Sequence, residues 1–223
     1  MKLRKFLVSV LALGFIFMYA QPSFANELKS NKATSGTIDL NDPNTKFSEV
    51  LTFDEIVKEI AVDQGISENQ AANQLMSSQN SKILESAISP LGTSSVSTLA
   101  ATYRTITQSF TVTSIYKPSV KFYTQTSEGG GYWGIVTILN VGMNRSYNGI
   151  SKQFGGTVYS NLETAARIFY IVNGDFFNNG TTTVSGGGEV AVGVGASATV
   201  NFNLSYSSNF YKYCYVEGRI YTQ

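Results

Sequence analysis

The sequence predicts an all-β C-terminal domain, an antiparallel β-sandwich or barrel, preceded by a small α-helical hairpin and a signal peptide. Three observations carry this. Side chains after Tyr103 alternate between apolar and polar with period two. Thr52 and Ser67 each stand three residues before a Glu or Gln at the head of an apolar helical pattern. The chain opens on basic residues followed by an apolar run.

Taken in chain order, Lys2, Arg4 and Lys5 form a positive head, and Leu7 to Ala20 is the apolar run. Pro22 breaks it, and Ser23-Phe24-Ala25 puts small residues at the positions a signal peptidase reads. A membrane-spanning helix needs roughly 20 apolar residues, and this run is shorter. Residues 1–25 are therefore expected to be a cleaved signal peptide and the mature chain to be secreted and extracellular. Residues 26–50 are polar and aperiodic and read as a linker.

A helical hairpin is expected over 51–85. Thr52 and Glu55 fit a capping box, and Phe53, Ile56, Val57 and Ile60 recur at helical spacing. Gly65 stops the first helix. Ser67 and Gln70 form a second box with Ile66 as its staple, and Ala71, Ala72, Leu75 and Met76 make the second apolar face. Such a hairpin is too short to bury a core of its own, so it needs a partner surface. Residues 86–102 are rich in Ser, Thr, Ala and Gly and read as a flexible linker where a pro-segment would be cut. Removal of the hairpin and its retention as a subdomain both stay open.

Charge divides the chain the same way. Residues 26–100 carry ten acidic groups against five lysines, a net −5. Residues 101–223 carry eight basic groups against five acidic ones, a net +3. The acidic helix–turn–helix would repel phosphate, so no nucleic-acid partner is expected. Cys214 is the only cysteine, so no internal disulfide forms and a hydrophobic core must supply the stability.

The β-domain is expected over 103–223. Ile106, Gln108, Phe110 and Val112 alternate with hydroxylated residues, giving one buried and one hydroxylated face. Val120 to Thr126 continues, Ser127 to Gly131 reads as a loop, and Gly134 to Val141 reads as a central strand covered on both faces. Turns are expected at Tyr147-Asn148-Gly149, Gly155-Gly156, Asn173-Gly174-Asp175 and Asn178-Asn179-Gly180. Val190 to Tyr206 alternates for too long to be one strand. A turn at Gly193-Val194-Gly195 would make a hairpin with arms near 181–192 and 196–207.

The chemistry is bounded first by what is missing. The chain has no histidine, which removes the commonest general base and metal ligand. Glu128, Glu163, Asp175, Glu189 and Glu217 form no close sequence pair. No catalytic residue, cofactor or metal site is expected. Cys214 shares its parity with Phe210, Val216 and Ile220, so it reads as an inert core thiol. Tyr211, Tyr213, Tyr215 and Tyr221 share the other parity and offer a ligand platform, or else an aromatic ladder between strands. Tyr132 and Trp133, after three glycines, are a second candidate pair for a ligand, or else cap a core edge.

Thr52 to Val57, then Gly65-Ile66-Ser67, then a Tyr/Gly/Asn-rich β-domain resemble the small secreted YolA/YoaW-type proteins of Bacillus. No activity is known for that group, so the resemblance implies secretion and domain order and carries over no site residue. The expected function is a secreted, non-enzymatic β-domain that binds an extracellular ligand or protein. One alternative is a pore-forming or antimicrobial protein using the 181–207 hairpin, since its arms match the 9–11 residues of a membrane strand; only then is a membrane a partner. The other is a hydrolase of an extracellular polymer, which needs two carboxyl groups within about 10 Å in a cleft. N-terminal sequencing of protein from culture medium should begin at Asn26, and a start inside 86–102 would identify the hairpin as a pro-segment.

Overall fold

The structure is a computed structural model describing residues 42–87, 101–185 and 190–222, with 78–87 and Ser185 as backbone only. The expected signal peptide and the centre of the second linker lie outside the described residues. The elements are β1 (Thr45–Phe47), α1 (Phe53–Gln64), α2 (Glu68–Ala87), β2 (Thr102–Ser109), β3 (Ser119–Gly129) and β4 (Tyr132–Asn144). Then come β5 (Ser146–Tyr147), β6 (Ile150–Ser151), β7 (Gln153–Thr164), β8 (Arg167–Ser185), β9 (Val192–Gly193) and β10 (Ser197–Tyr221). Two helices thus precede three antiparallel sheets.

Both capping boxes form. The Thr52 N–H donates to Glu55 Oε2 at 2.8 Å, and the Glu55 N–H donates to Thr52 Oγ1 at 3.4 Å. The Ser67 N–H donates to Gln70 Oε1 at 3.0 Å, and the Gln70 N–H returns to Ser67 Oγ at 3.2 Å. Gly65 ends α1 in the left-handed region at φ +66°, and the Ile66 N–H closes the turn on Ala61 O at 3.0 Å. Ala71 and Leu75 of α2 are buried, but Met76 is 48% exposed and points away from the expected apolar face.

The hairpin's partner surface is the sheet β1-β2-β3-β4-β9. Ile56, Val57, Ile60, Ala61, Ala71 and Leu75 pack with Tyr103, Tyr123 and Leu139 into a separate hydrophobic cluster. An ion-pair pin holds the edge of that contact. Lys121 Nζ lies 2.7 Å from both Glu59 and Asp63, and the Tyr123 hydroxyl donates to Asp63 at 2.5 Å. Tyr103 is buried in this cluster and Thr105 is buried as well, while Thr107 and Ser109 are half-buried, so the expected hydroxylated face of β2 is covered in part.

Part of the expected 26–50 linker is also strand. Thr45 to Phe47 pair with Gln108 to Ile106 and extend the sheet edge. Thr45 and Gln108 join their side chains, and the Thr105 N–H donates to Ser48 Oγ at 2.9 Å. This strand is held by hydrogen bonds, so hydropathy carries no sign of it. The expected central strand, Gly134 to Val141, is covered on both faces only in part. Ile135, Ile138 and Val141 enter the main core and Leu139 faces the helices, but Val136 is exposed and the far side of β4 pairs only at Thr137 and Ile138. The expected 127–131 loop is instead a two-residue turn, Gly130-Gly131, with φ of +61° and +84°.

β7, β8 and β10 each pair with the other two and close a ring. Ser197 to Phe202 of β10 pair with β7, and Lys212 to Tyr221 pair with β8. The main core lies between this ring and the five-stranded sheet, with Phe122 and Ile138 meeting Phe154, Val172, Phe176 and Phe202.

Three expected turns are strand interior. Gly155-Gly156 lies within β7, and Gly174 and Gly180 lie within β8. Gly156 and Gly174 are opposite one another, and the buried Phe154 ring lies over both. A Cβ on Gly156 would stand 2.3 Å from Asn173 O and 2.6 Å from Gly174 Cα. These glycines let two backbones approach instead of reversing the chain. The Asn148-Gly149 turn does form, with φ of +48° and +78°.

The expected 181–207 hairpin forms only in part. Its turn is present, with the Ala196 N–H donating to Gly193 O at 3.0 Å. Pairing between its arms joins only Thr181–Ser185 to Asn201–Ser205. Val192 leaves for β4 and Val200 for β7, and both are buried there. A free two-stranded arm would have left those valines half exposed.

Gly156→Ala should lower stability by about 1–3 kcal/mol, since neither backbone neighbour is a flexible chain end that yields cheaply. A fall in the urea midpoint with an unchanged m value is the expected result.

Candidate functional site

The six aromatic residues singled out in the sequence fall into separate places. A register shift between Phe210 and Lys212 turns Tyr211 inward, where its ring packs edge-on to Tyr116 at 5.9 Å. Its hydroxyl meets Thr113 Oγ1 at 2.9 Å. Tyr211 therefore leaves the expected platform, and Phe210 takes the outward position at 58% exposure. Cys214 is buried as expected, and burial pushes its thiol up to about 11.

Trp133 is half-buried against the core. Phe47 meets it edge-on at 5.6 Å, and the Arg104 guanidinium lies 4.9 Å above its ring. It caps a sheet edge, while neighbouring Tyr132 is 78% exposed. The Arg104 fork is fixed by Glu128, with Nε and Nη2 donating at 2.9 and 3.1 Å, and by Ser48 O at 2.8 Å.

Tyr213 and Tyr215 do project from the ring, 53% and 52% exposed. Pairing places residues beside them that single strands do not reveal. Across β10, β7, β8 and β10 again, one outward row reads Asn201, Thr157, Asn173, Tyr215. The next reads Thr199, Tyr159, Ile171, Glu217, and a third Ser197, Asn161, Phe169, Arg219. The result is an open grid of hydroxyls, amides and rings. Tyr159 and Phe169 were unmarked in the sequence because each looks like any strand aromatic until the register is known. Tyr221 is half-buried at the end of the same strand, paired with Arg167.

Local bonds set the side chains of this face. The Tyr213 hydroxyl donates to Asn173 Oδ1 at 2.9 Å, and that of Tyr215 to Glu217 Oε2 at 3.2 Å. Some desolvation and the Glu217 carboxylate raise the Tyr215 pKa. Hydrogen bonds from Ser197 and Asn161 lower that of Tyr159. Arg219 lies 4.9 Å above the Phe169 ring and donates to Glu163 at 3.1 and 3.3 Å. The Arg219 hydrogen bond holds the Glu163 carboxyl below its ordinary range.

Among the described residues, the carboxylates of the β-domain are spent on arginines or spread over this open face. The close pair that folding creates is Glu59 and Asp63, one turn apart on α1, both on Lys121. Burial pulls the Lys121 pKa down, but hydrogen bonds to Asp63 and Glu59 outweigh it and the net shift is upward. Among the described residues no cluster of His, Cys, Asp and Glu fits a metal ion. Comparison with protein-family models, curated proteins and solved structures gave no match.

The Arg104 hydrogen bond lowers the Glu128 pKa from an ordinary 4.5. The pair's contribution to stability is therefore complete above about pH 4.5 and is lost as pH falls through the lowered value. Melting temperature followed from about pH 6 to about pH 3 should fall less steeply in Glu128→Gln than in wild type.

Proposed function

We propose that the protein is a secreted, non-enzymatic binding protein whose ligand is a hydroxyl-rich, uncharged polymer such as a polysaccharide. In this reading the two larger sheets form a β-sandwich around the shared core, and the outer face of the ring is the binding surface. The observation that carries it is the pair Tyr213 and Tyr215, half exposed within rows of Asn, Thr and Ser. A tyrosine ring offers apolar area to the C–H face of a sugar and a hydroxyl to its rim, at small entropy cost. Flanking amides and hydroxyls supply both donors and acceptors. On this face Glu163 pairs with Arg167 and Arg219, Glu217 stands two residues from Arg219, and Asp175 lies further along β8 beside Tyr213. The charges nearly balance, which favours a neutral chain over a polyanion. The resemblance to secreted Bacillus proteins is in keeping with an extracellular role.

The test is sedimentation of the full mature chain with insoluble cellulose, chitin and peptidoglycan. Wild type should bind at least one of them. Removing both rings in Tyr213→Ala/Tyr215→Ala should weaken that binding about 30-fold, roughly 2 kcal/mol, with the melting temperature nearly unchanged. Equal binding by the double variant, or binding of none of the three by wild type, would overturn the reading.

A further inference from the structure

The α1–α2 turn, the end of β4 and the far half of β8 enclose two adjoining hollows of about 320 and 260 Å3. Asp63, Met143 and Arg145 line both. Arg145 differs from the other arginines of the β-domain. Arg104, Arg167 and Arg219 each have a carboxylate partner. Among the described residues Arg145 has none, although it is half-buried. Its Nη1 donates to Gln153 Oε1 at 2.5 Å, an oxygen that also takes the Thr182 N–H at 3.1 Å. A guanidinium carries five N–H donors, so most of its capacity is left for the hollow. Burial lowers the Arg145 pKa, as expected of a cation desolvated without an anion beside it. The nearest acid in the wall, Asp63, is engaged by Lys121 and Tyr123.

The rest of the lining is half apolar. Ile66, Met143, Val184 and Phe202 face the larger hollow, with Gln64 and Thr182 as polar neighbours. A planar fork at a partly dry site matches a two-oxygen anion better than a point charge does. We propose that Arg145 anchors a binding site for a small organic oxyanion, a carboxylate or phosphate ester, whose short apolar body lies against Ile66, Met143, Val184 and Phe202.

The site has a second property. Asp63, Gln64, Gly65, Ile66 and Gln74 belong to the helical hairpin, while Arg145 and Phe202 belong to the β-domain. The ligand therefore binds only when the hairpin is docked, and its binding must stabilise the docked state.

Calorimetric titration of the full mature chain tests this with four probes: hexanoate, hexyl phosphate, acetate and hexanol. Hexanoate or hexyl phosphate should bind at least tenfold tighter than acetate, which lacks the body, and hexanol, which lacks the charge. Which of the two binds better identifies the headgroup. Arg145→Gln should lose at least tenfold and Arg145→Lys less. Thr183→Trp, at the exposed rim of the hollow, should block binding with Arg145 left in place. Equal binding by wild type and Arg145→Gln would overturn the proposal. So would a Kd weaker than about 10 mM for both hexyl anions with wild type. Should Arg145→Gln fail to fold, undiminished binding by Thr183→Trp has the same force.

Discussion

The close approach of β7 and β8 at Gly156 and Gly174 is the constraint on which the ring depends. With no Cβ on either residue, the Phe154 ring lies flat over the strand pair and reaches Phe176 at 4.9 Å and Phe202 at 5.5 Å. That aromatic group ties β7, β8 and β10 together on the inner side, and inner packing fixes which residues face out. A side chain at either glycine would push Phe154 away and loosen the packing that holds the three strands together. The exposed grid around Tyr213 and Tyr215 is thus the reverse side of a packing arrangement made inside.

The helical hairpin depends on the β-domain in a different way. Its apolar face meets Tyr103, Tyr123 and Leu139, residues on the outer surface of the five-stranded sheet. The sheet consequently has no open face where the hairpin sits, and Leu139 of β4 is buried on that side while Asn140 bonds to Gln64 and Gln74 of the helices. The Lys121 pin with Glu59 and Asp63 fixes orientation more than it adds stability, since side-chain exposures of 20% to 40% leave the pair well screened. Opposite net charges on the two segments appear in the structure as this contact.

Much of this fold was legible in the sequence where a local signal had one cause. Capping boxes at Thr52 and Ser67, the αL glycine at 65 and the Asn148-Gly149 turn each rest on neighbouring backbone groups, and each is present. The misreadings came where one residue type serves two purposes. Gly155, Gly156 and Gly174 have the composition of a turn, but they are there for close strand contact. The strand at Thr45 to Phe47 has no apolar alternation because it is held by polar pairs with residues some sixty positions on. For the candidate site, parity put Tyr213 and Tyr215 on one face but left open whether that face was exposed or packed as a ladder, and the closed ring leaves it exposed. The inward turn of Tyr211 did not follow from parity, because a bulge shifts parity by one and leaves no composition mark. Tyr159, Phe169 and Arg145 gained significance only through long-range pairing.

The last strand closes the ring at both edges, joining β7 with its first residues and β8 with its last. Loss of Arg219 to Tyr221 would therefore leave an unpaired edge on β8 at Arg167, Ile168 and Phe169. Bare edges of that kind recruit strands from other molecules. In the intact ring that edge of β8 is occupied by β10 and closed to such pairing.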